Sequence, residues 1–199
     1  SHSGGNNGKG GNLLYRWGNP EAYDRGGSED KWLGFQHDVR WIPEGYPGEG
    51  NLTVFNNNAP MTDSIPYTQV LELSLPTDEN GQYIVPEEGP LGPEEPTWIY
   101  SDKGKFFSPF ISSAQNGNTL VNAGPQGRLF EVTPGGDVVW DYYSPYIGSS
   151  KLPNGAPVQP TGPFRYAVFR ATFVPVDHPA LQGKELIPVS PQPETQKAM

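Results

Sequence analysis

Cysteine is absent from the 199 residues, so the chain has no disulfide framework and no thiolate metal site. Either a reducing compartment or a cysteine-free export route fits that count. Histidine is scarce as well, 3 in all, and the search for imidazole nucleophiles and metal ligands narrows to His2, His37 and His178. Positive charge is in short supply: Lys+Arg 13 against Asp+Glu 22 gives a formal net charge of -9, which argues against a nucleic-acid backbone or an anionic membrane surface as partner. An anionic substrate must be attracted locally. No apolar run approaches the roughly 18 residues of a membrane-spanning helix, and no charged-then-apolar start marks a signal peptide within these residues. A G-x-S-x-G elbow, an H-E-x-x-H helix and a phosphate-binding glycine loop are also missing, so the common hydrolase and nucleotide-binding readings lose support.

What is plentiful is turn-forming. Gly 25 and Pro 23 together make about a quarter of the chain, near twice average usage, and residues so poor in helix propensity leave little room for long helices. An all-β fold follows. Trp 5, Tyr 10 and Phe 9 recur between the turns, which a solvated low-complexity chain has no use for. The length suits one domain with a real core. Residues 1–11 read as a flexible polar start that resembles the interior of a longer chain or a processed end, residues 12–175 as the folded part, and residues 176–199 as an extended Pro-rich tail.

Within the folded part the sequence repeats. One unit runs His37–Pro43, turns through Gly45–Gly50, continues as Asn51–Asn57, and adds Gln69–Leu73 and Thr97–Tyr100. A second follows in the same order: Phe107–Ser112, Asn118–Asn122, Arg128–Val132 and Val138–Tyr142. Gly50-Asn51 matches Gly117-Asn118, Leu71-Glu72-Leu73 matches Phe130-Glu131-Val132, and Trp98-Ile99-Tyr100 matches Trp140-Asp141-Tyr142. Four short strands per unit, with apolar and polar residues alternating, is the pattern of a β-propeller blade. Tyr15-Arg16-Trp17 reads as the outer strand of a preceding blade, and Tyr166–Phe173 as a further strand that closes the ring against an earlier one. Two full units and two partial ones fall short of the roughly four to eight blades of a closed ring. The remaining blades belong to the same polypeptide or to another chain, and a homo-oligomer stays open. Residues 76–96 read as a loop inserted in the first unit.

His37 alone among the histidines heads a predicted inner strand, where a propeller side chain can face the central channel. The plainer alternative is a histidine that caps the strand or bonds a turn. Asp38 follows directly, and successive strand residues point to opposite faces, so the two are not expected to pair. His178 reads as a surface turn residue. The acidic runs Asp78-Glu79 and Glu94-Glu95 lack EF-hand spacing and read as solvated loop charge, with no metal expected. Asn51-Leu52-Thr53 satisfies the N-glycosylation pattern but carries no weight, because asparagine suits a hairpin in any case. The recurrence of Trp98, Tyr100, Trp140 and Tyr142 favours packing between blades over a sugar-stacking platform.

Several stretches taken together resemble a known family. They are Asn12–Pro20, Gln36-His37-Asp38 with Trp41-Ile42-Pro43, Gly50–Asn57, Phe106-Phe107-Ser108 through Gln115, and Gly127–Thr133. From about residue 11 to about residue 181 they are similar to the C-terminal half of bacterial arylsulfotransferases. The resemblance implies a six-bladed propeller, periplasmic or secreted, that moves a sulfuryl group from an aryl sulfate to a phenolic acceptor without a nucleotide donor or other cofactor. It places the transient sulfohistidine on His37. Ser112, in the second unit's counterpart of the His37 strand, and Tyr166, on the C-terminal strand, are the expected channel-lining substrate contacts. The family's further histidines and its arginine come from earlier blades and have no match here, and a few residues the family carries between Gln115 and Asn116 are missing. Two other classes compete: a noncatalytic propeller kept as an extracellular or protein-binding scaffold, and, least favoured, a quinone-dependent dehydrogenase with bound calcium.

Overall fold

The computed structural model describes residues 4–6, 8, 10, 11, 13–59, 65–115, 118–148, 150–158, 162, 164–188 and 190. His2, Asn116, Gly117 and the tail beyond 190 lie outside them, and with these the Gly117 half of the second hairpin match. Two four-stranded antiparallel sheets make up the fold. Sheet one is β1 (His37–Trp41), β2 (Leu52–Asn56), β3 (Gln69–Leu73) and β4 (Trp98–Tyr100). Sheet two is β5 (Ser113–Gln115), β6 (Thr119–Ala123), β7 (Arg128–Val132) and β8 (Val138–Tyr143). Strand order follows chain order in both. A two-stranded hairpin, β9 (Ser150–Lys151) with β10 (Pro157–Val158), was not foreseen from sequence. Helix is confined, among the described residues, to single 3-10 turns. The fold is all-β, and each sheet is open, with no closed barrel or ring among the described residues.

The two four-stranded ladders have similar registers. Glu72 pairs with Trp98 and Val70 with Tyr100. In sheet two, Glu131 pairs with Trp140 and Leu129 with Tyr142. Directly paired residues share a face, so equivalent faces can be followed from one sheet to the next. The core joins Phe55, Val70 and Tyr100 of sheet one to Val121, Phe130 and Val132 of sheet two, with Phe106 between them. Phe106 meets Phe55 and Phe130 edge-on, at centroid distances of 6.0 and 5.3 Å, the arrangement ring quadrupoles favour. By register, Val121, Phe130 and Val132 are the counterparts of Val54, Leu71 and Leu73, which lie on the opposite face of sheet one. The front of sheet one therefore packs on the back of sheet two, a head-to-tail contact. The back of sheet one (Val54, Leu71, Leu73) is covered by Trp17 and Leu33.

Three strand expectations need correction. Tyr15-Arg16-Trp17 is not a strand. These residues fold onto the 76–96 loop, where the Tyr15 hydroxyl donates to the Gly92 carbonyl at 2.8 Å and the Trp17 indole to that of Pro93 at 2.7 Å. Phe107–Ser112 is not the inner strand of the second unit; β5 starts at Ser113. Pro109 has no N–H to give a ladder, and Ile111 sits at φ 37, outside the β region. Tyr166–Phe173 is not a strand either. It runs beside β5 and is tied through side chains: Asn122 Nδ2 donates to Val168 O at 2.9 Å, Ala171 N to Ser113 Oγ at 3.1 Å, and Phe173 N to Gln115 Oε1 at 2.6 Å. Trp98 packs against the shared core as expected. Trp140 stacks on Tyr142 at 5.7 Å but remains 44% exposed, with no sheet of its own to meet among the described residues.

Candidate functional site

The end of β2 carries three successive asparagines, and they set the approach to His37. Asn56 is fully buried, accepting from Gly34 N at 2.8 Å and donating to Trp32 O at 2.8 Å. Asn58 N donates to Gly34 O at 2.9 Å. A side chain at Gly34 would run into the Asn58 carbonyl, so only glycine lets the chain enter β1 here. Phe35 and Asp38 then flank His37 at φ 53 and 50, and Ile111 lies next to Ser112. Left-handed φ in non-glycine residues costs about 1–3 kcal/mol each. Three such positions at one corner mark a place where the surrounding fold overrides local preference.

His37 is half-buried. Its Nδ1 lies 2.9 Å from the Phe35 carbonyl and 2.7 Å from Asn57 Oδ1. The Asn57 amide has one orientation that satisfies its other neighbour. The Ser108 carbonyl, at 2.6 Å, can only accept, so the atom facing it is Nδ2 and the one facing His37 is Oδ1. Both groups opposite Nδ1 are acceptors. In the neutral ring Nδ1 therefore carries the proton, and Nε2, which bonds no described residue, keeps the lone pair.

Ser112 is 3% exposed and stands behind His37, where its hydroxyl receives the Asn57 amide at 3.2 Å and meets Ser108 Oγ at 2.8 Å. Thr68 donates to the Asn57 carbonyl at 2.9 Å and accepts from Ser108 N at 2.8 Å. The register counterpart of His37 is Ser113: His37 pairs with Phe55, and Ser113 with Asn122 at the equivalent position. The expectation chose Ser112 because it placed this strand at residues 107–112, which end just before β5 begins. Tyr166 is half-buried, with its carbonyl against Gly127 and Arg165 over its ring at 4.9 Å.

Asp38 leaves the ladder. β1 advances from His37 to Arg40 while β2 moves only from Phe55 to Thr53, so β1 holds one extra residue in a bulge. The bulge brings His37 and Arg40 to the same face, which plain alternation forbids. Asp38 does not pair with His37, as expected, but turns to two arginines: Arg40 Nε at 2.9 Å and Arg170 Nε at 3.1 Å share its Oδ1. Its side chain is 2% exposed and Oδ2 is buried without a partner among the described residues. Two guanidinium groups on one carboxylate leave a net positive charge beside His37 in an acidic protein. Arg40 also lines a groove of about 190 Å³ between β1 and β5 with Trp41, Pro43, Tyr46, Gln115 and Phe173.

Asn57, Arg40 and Arg170 went unremarked in the sequence. The Asn56-Asn57-Asn58 run at a strand end was the readable signal for the first; the arginines had none, since their meeting depends on the bulge and on a segment far along the chain. Elsewhere, Asn51 donates its amide to Glu72 Oε1 at 2.6 Å. Asp78 accepts from the backbone of Gln82 and Asn80 at 2.8 Å each, and those bonds, Gln82 first, hold its carboxyl below the usual carboxylate value. His178 caps a 3-10 turn, accepting from Ala180 N. No helix among the described residues is long and apolar enough to cross a membrane. No protein-family model matches the chain, and neither the curated proteins nor the solved structures contain a match to it.

Proposed function

We propose that these residues are the C-terminal part of a six-bladed β-propeller enzyme, periplasmic or secreted, that transfers a sulfuryl group from an aryl sulfate to a phenol through a transient sulfohistidine on His37. The observation that carries this reading is the imidazole itself, with Nδ1 bound to two acceptors and Nε2 left as a lone-pair nitrogen. In the first step Nε2 attacks sulfur, the N–S bond forms and the S–O bond to the aryl group breaks. The aryl oxide leaves with the bonding pair and takes a proton from solvent. The sulfated ring is cationic, and its Nδ1–H stays bonded to Phe35 and Asn57. In the second step the acceptor phenol loses its proton to solvent, its oxygen attacks sulfur, and the N–S electrons return to Nε2.

Arg40, on the same face as His37, supplies donors for the sulfuryl oxygens, a role worth about 2.7–4 kcal/mol per donor by analogy with an oxyanion hole. Tyr166 is a candidate contact for the aryl group, and Ser112 acts from behind His37.

The propeller is supported by the head-to-tail packing. A front-on-back contact between successive four-stranded units can repeat by rotation, and where that rotation closes it gives a ring. It leaves the front of sheet two, with Leu129, Trp140 and Tyr142, for a further blade of the same polypeptide or of another chain. The test is an assay of the protein at its native length with an aryl sulfate donor and a phenol acceptor. A sulfuryl adduct trapped on His37 supports the reading; an absence of both transfer and adduct leaves a noncatalytic scaffold as the better account.

A further inference from the structure

The polar groups behind His37 come from both sheets. Asn57 follows β2, while Ser108 and Ser112 belong to the segment entering β5. Asn57 is fully buried, and Ser108 likewise, so neither has water as an alternative partner. Each amide hydrogen of Asn57 is directed at sheet two, one at the Ser108 carbonyl and the other at the Ser112 hydroxyl. Its orientation is thus decided by the partner sheet. Were the amide turned over, Nδ2 would face His37 Nδ1, and the proton would belong on Nε2.

We propose that Asn57 is the positioning residue that holds His37 in its Nδ1–H form, and that Ser108 and Ser112 aim it, so that the nucleophilic nitrogen exists only while the two sheets are docked. The inference rests on the sulfohistidine reading for its use, though the tautomer itself is measurable without any substrate. Phe35 O also faces Nδ1, but from the exposed side of the ring, where water competes for the same proton. The buried Asn57 bond, at 2.7 Å, has no such competitor.

The nitrogen-15 spectrum of the neutral imidazole distinguishes the two forms, and His37 is assigned by the signals lost in His37→Ala. The wild-type protein should show a protonated Nδ1 and a pyridine-like Nε2. In Asn57→Leu the population should move toward Nε2–H, and the rate of adduct formation should fall about 10- to 100-fold, as when the orienting partner of a metal-bound histidine is removed, with little change in donor KM. Asn57→Asp keeps an acceptor opposite Nδ1 and should keep the Nδ1–H form. Ser112→Ala, a milder change, should shift the tautomer in the same direction by less, and serves if Asn57→Leu does not fold. A wild-type ring protonated on Nε2, or an Asn57→Leu ring still protonated on Nδ1, overturns the proposal. An unchanged tautomer in Ser112→Ala removes its dependence on sheet two. A wild-type Nδ1–H ring in a protein that transfers no sulfuryl group defeats the functional reading instead and leaves the tautomer assignment standing.

Discussion

His37 Nδ1 lies 2.7 Å from the Oδ1 of Asn57, 20 positions along the chain. That single contact links the residue at the head of β1 to a buried amide held by the other sheet. Under the proposed role of Asn57 it also sets which nitrogen of the neutral ring keeps the lone pair. If the protein transfers sulfuryl groups as proposed, replacing His37 by alanine should abolish both transfer and the trapped adduct while leaving the fold intact, because the ring is half-buried and outside the shared core. Circular dichroism together with the adduct's mass signature checks the two halves of that statement.

Arg40 should matter through its charge and its planar donors. Arg40→Gln is expected to raise the KM for an anionic donor about 10- to 100-fold, since a hydrogen bond to a charged group contributes about 1.5–3 kcal/mol. Arg40→Lys should restore little, because an ammonium cannot present the same fork of donors while also holding Asp38 through Nε. Steady-state kinetics on both variants reads the difference.

The joint between the sheets sets stability. Phe130 has no exposed surface and packs on Phe106 and Tyr100. Phe130→Ala should lower unfolding free energy by about 3–5 kcal/mol, whereas Phe169→Ala, at a side chain 65% exposed, should change it by less than about 0.5 kcal/mol. Urea titrations compare them.

Tyr100 gives the protein an alkaline limit. Its phenol is pushed above the ordinary value of 10.0, first by burial and then by Asp102, against the opposing pull of Arg128. The folded state thus holds this proton more tightly than the unfolded chain does. The resulting stability is complete below the unfolded pKa, near 10, and is lost as pH rises through the higher folded value. Melting temperature should fall with pH above 10 more steeply in the wild type than in Tyr100→Phe. Equal slopes would count against burial as the cause.

Gly124 is where the C-terminal segment meets sheet two. Its carbonyl accepts from Val168 N at 2.9 Å, and an added Cβ would collide with the carbonyls of Ile111 and Val168. Gly124→Ala should release residues 166–173 before it unfolds the sheets, seen as faster proteolysis there with the core cluster still protected from hydrogen exchange.

Much of the architecture was legible because its causes are local. Gly50-Asn51, Glu72 with its apolar neighbours, and the matching Trp98 and Trp140 announce four-stranded units through turn chemistry and two-residue alternation, which act over a few positions. β3 and β7 fell where the pattern put them. The errors came where alternation persisted without a partner strand. Tyr15-Arg16-Trp17 and Tyr166–Phe173 have the pattern of strands, but a ladder needs a second backbone beside it, and here side chains and loop carbonyls take that place.

By itself, then, the sequence determined an all-β chain and singled out His37 as the histidine at the head of a strand, since composition, turns and periodicity are properties of neighbours in the chain. Tertiary structure decided the rest. The bulge at Asp38 put Arg40 on the face of His37, Arg170 arrived from a distant segment, and Ser108 and Ser112 oriented Asn57. Each of these depends on a hydrogen bond or ion pair that is satisfied only when residues far apart in sequence are brought together and shielded from water.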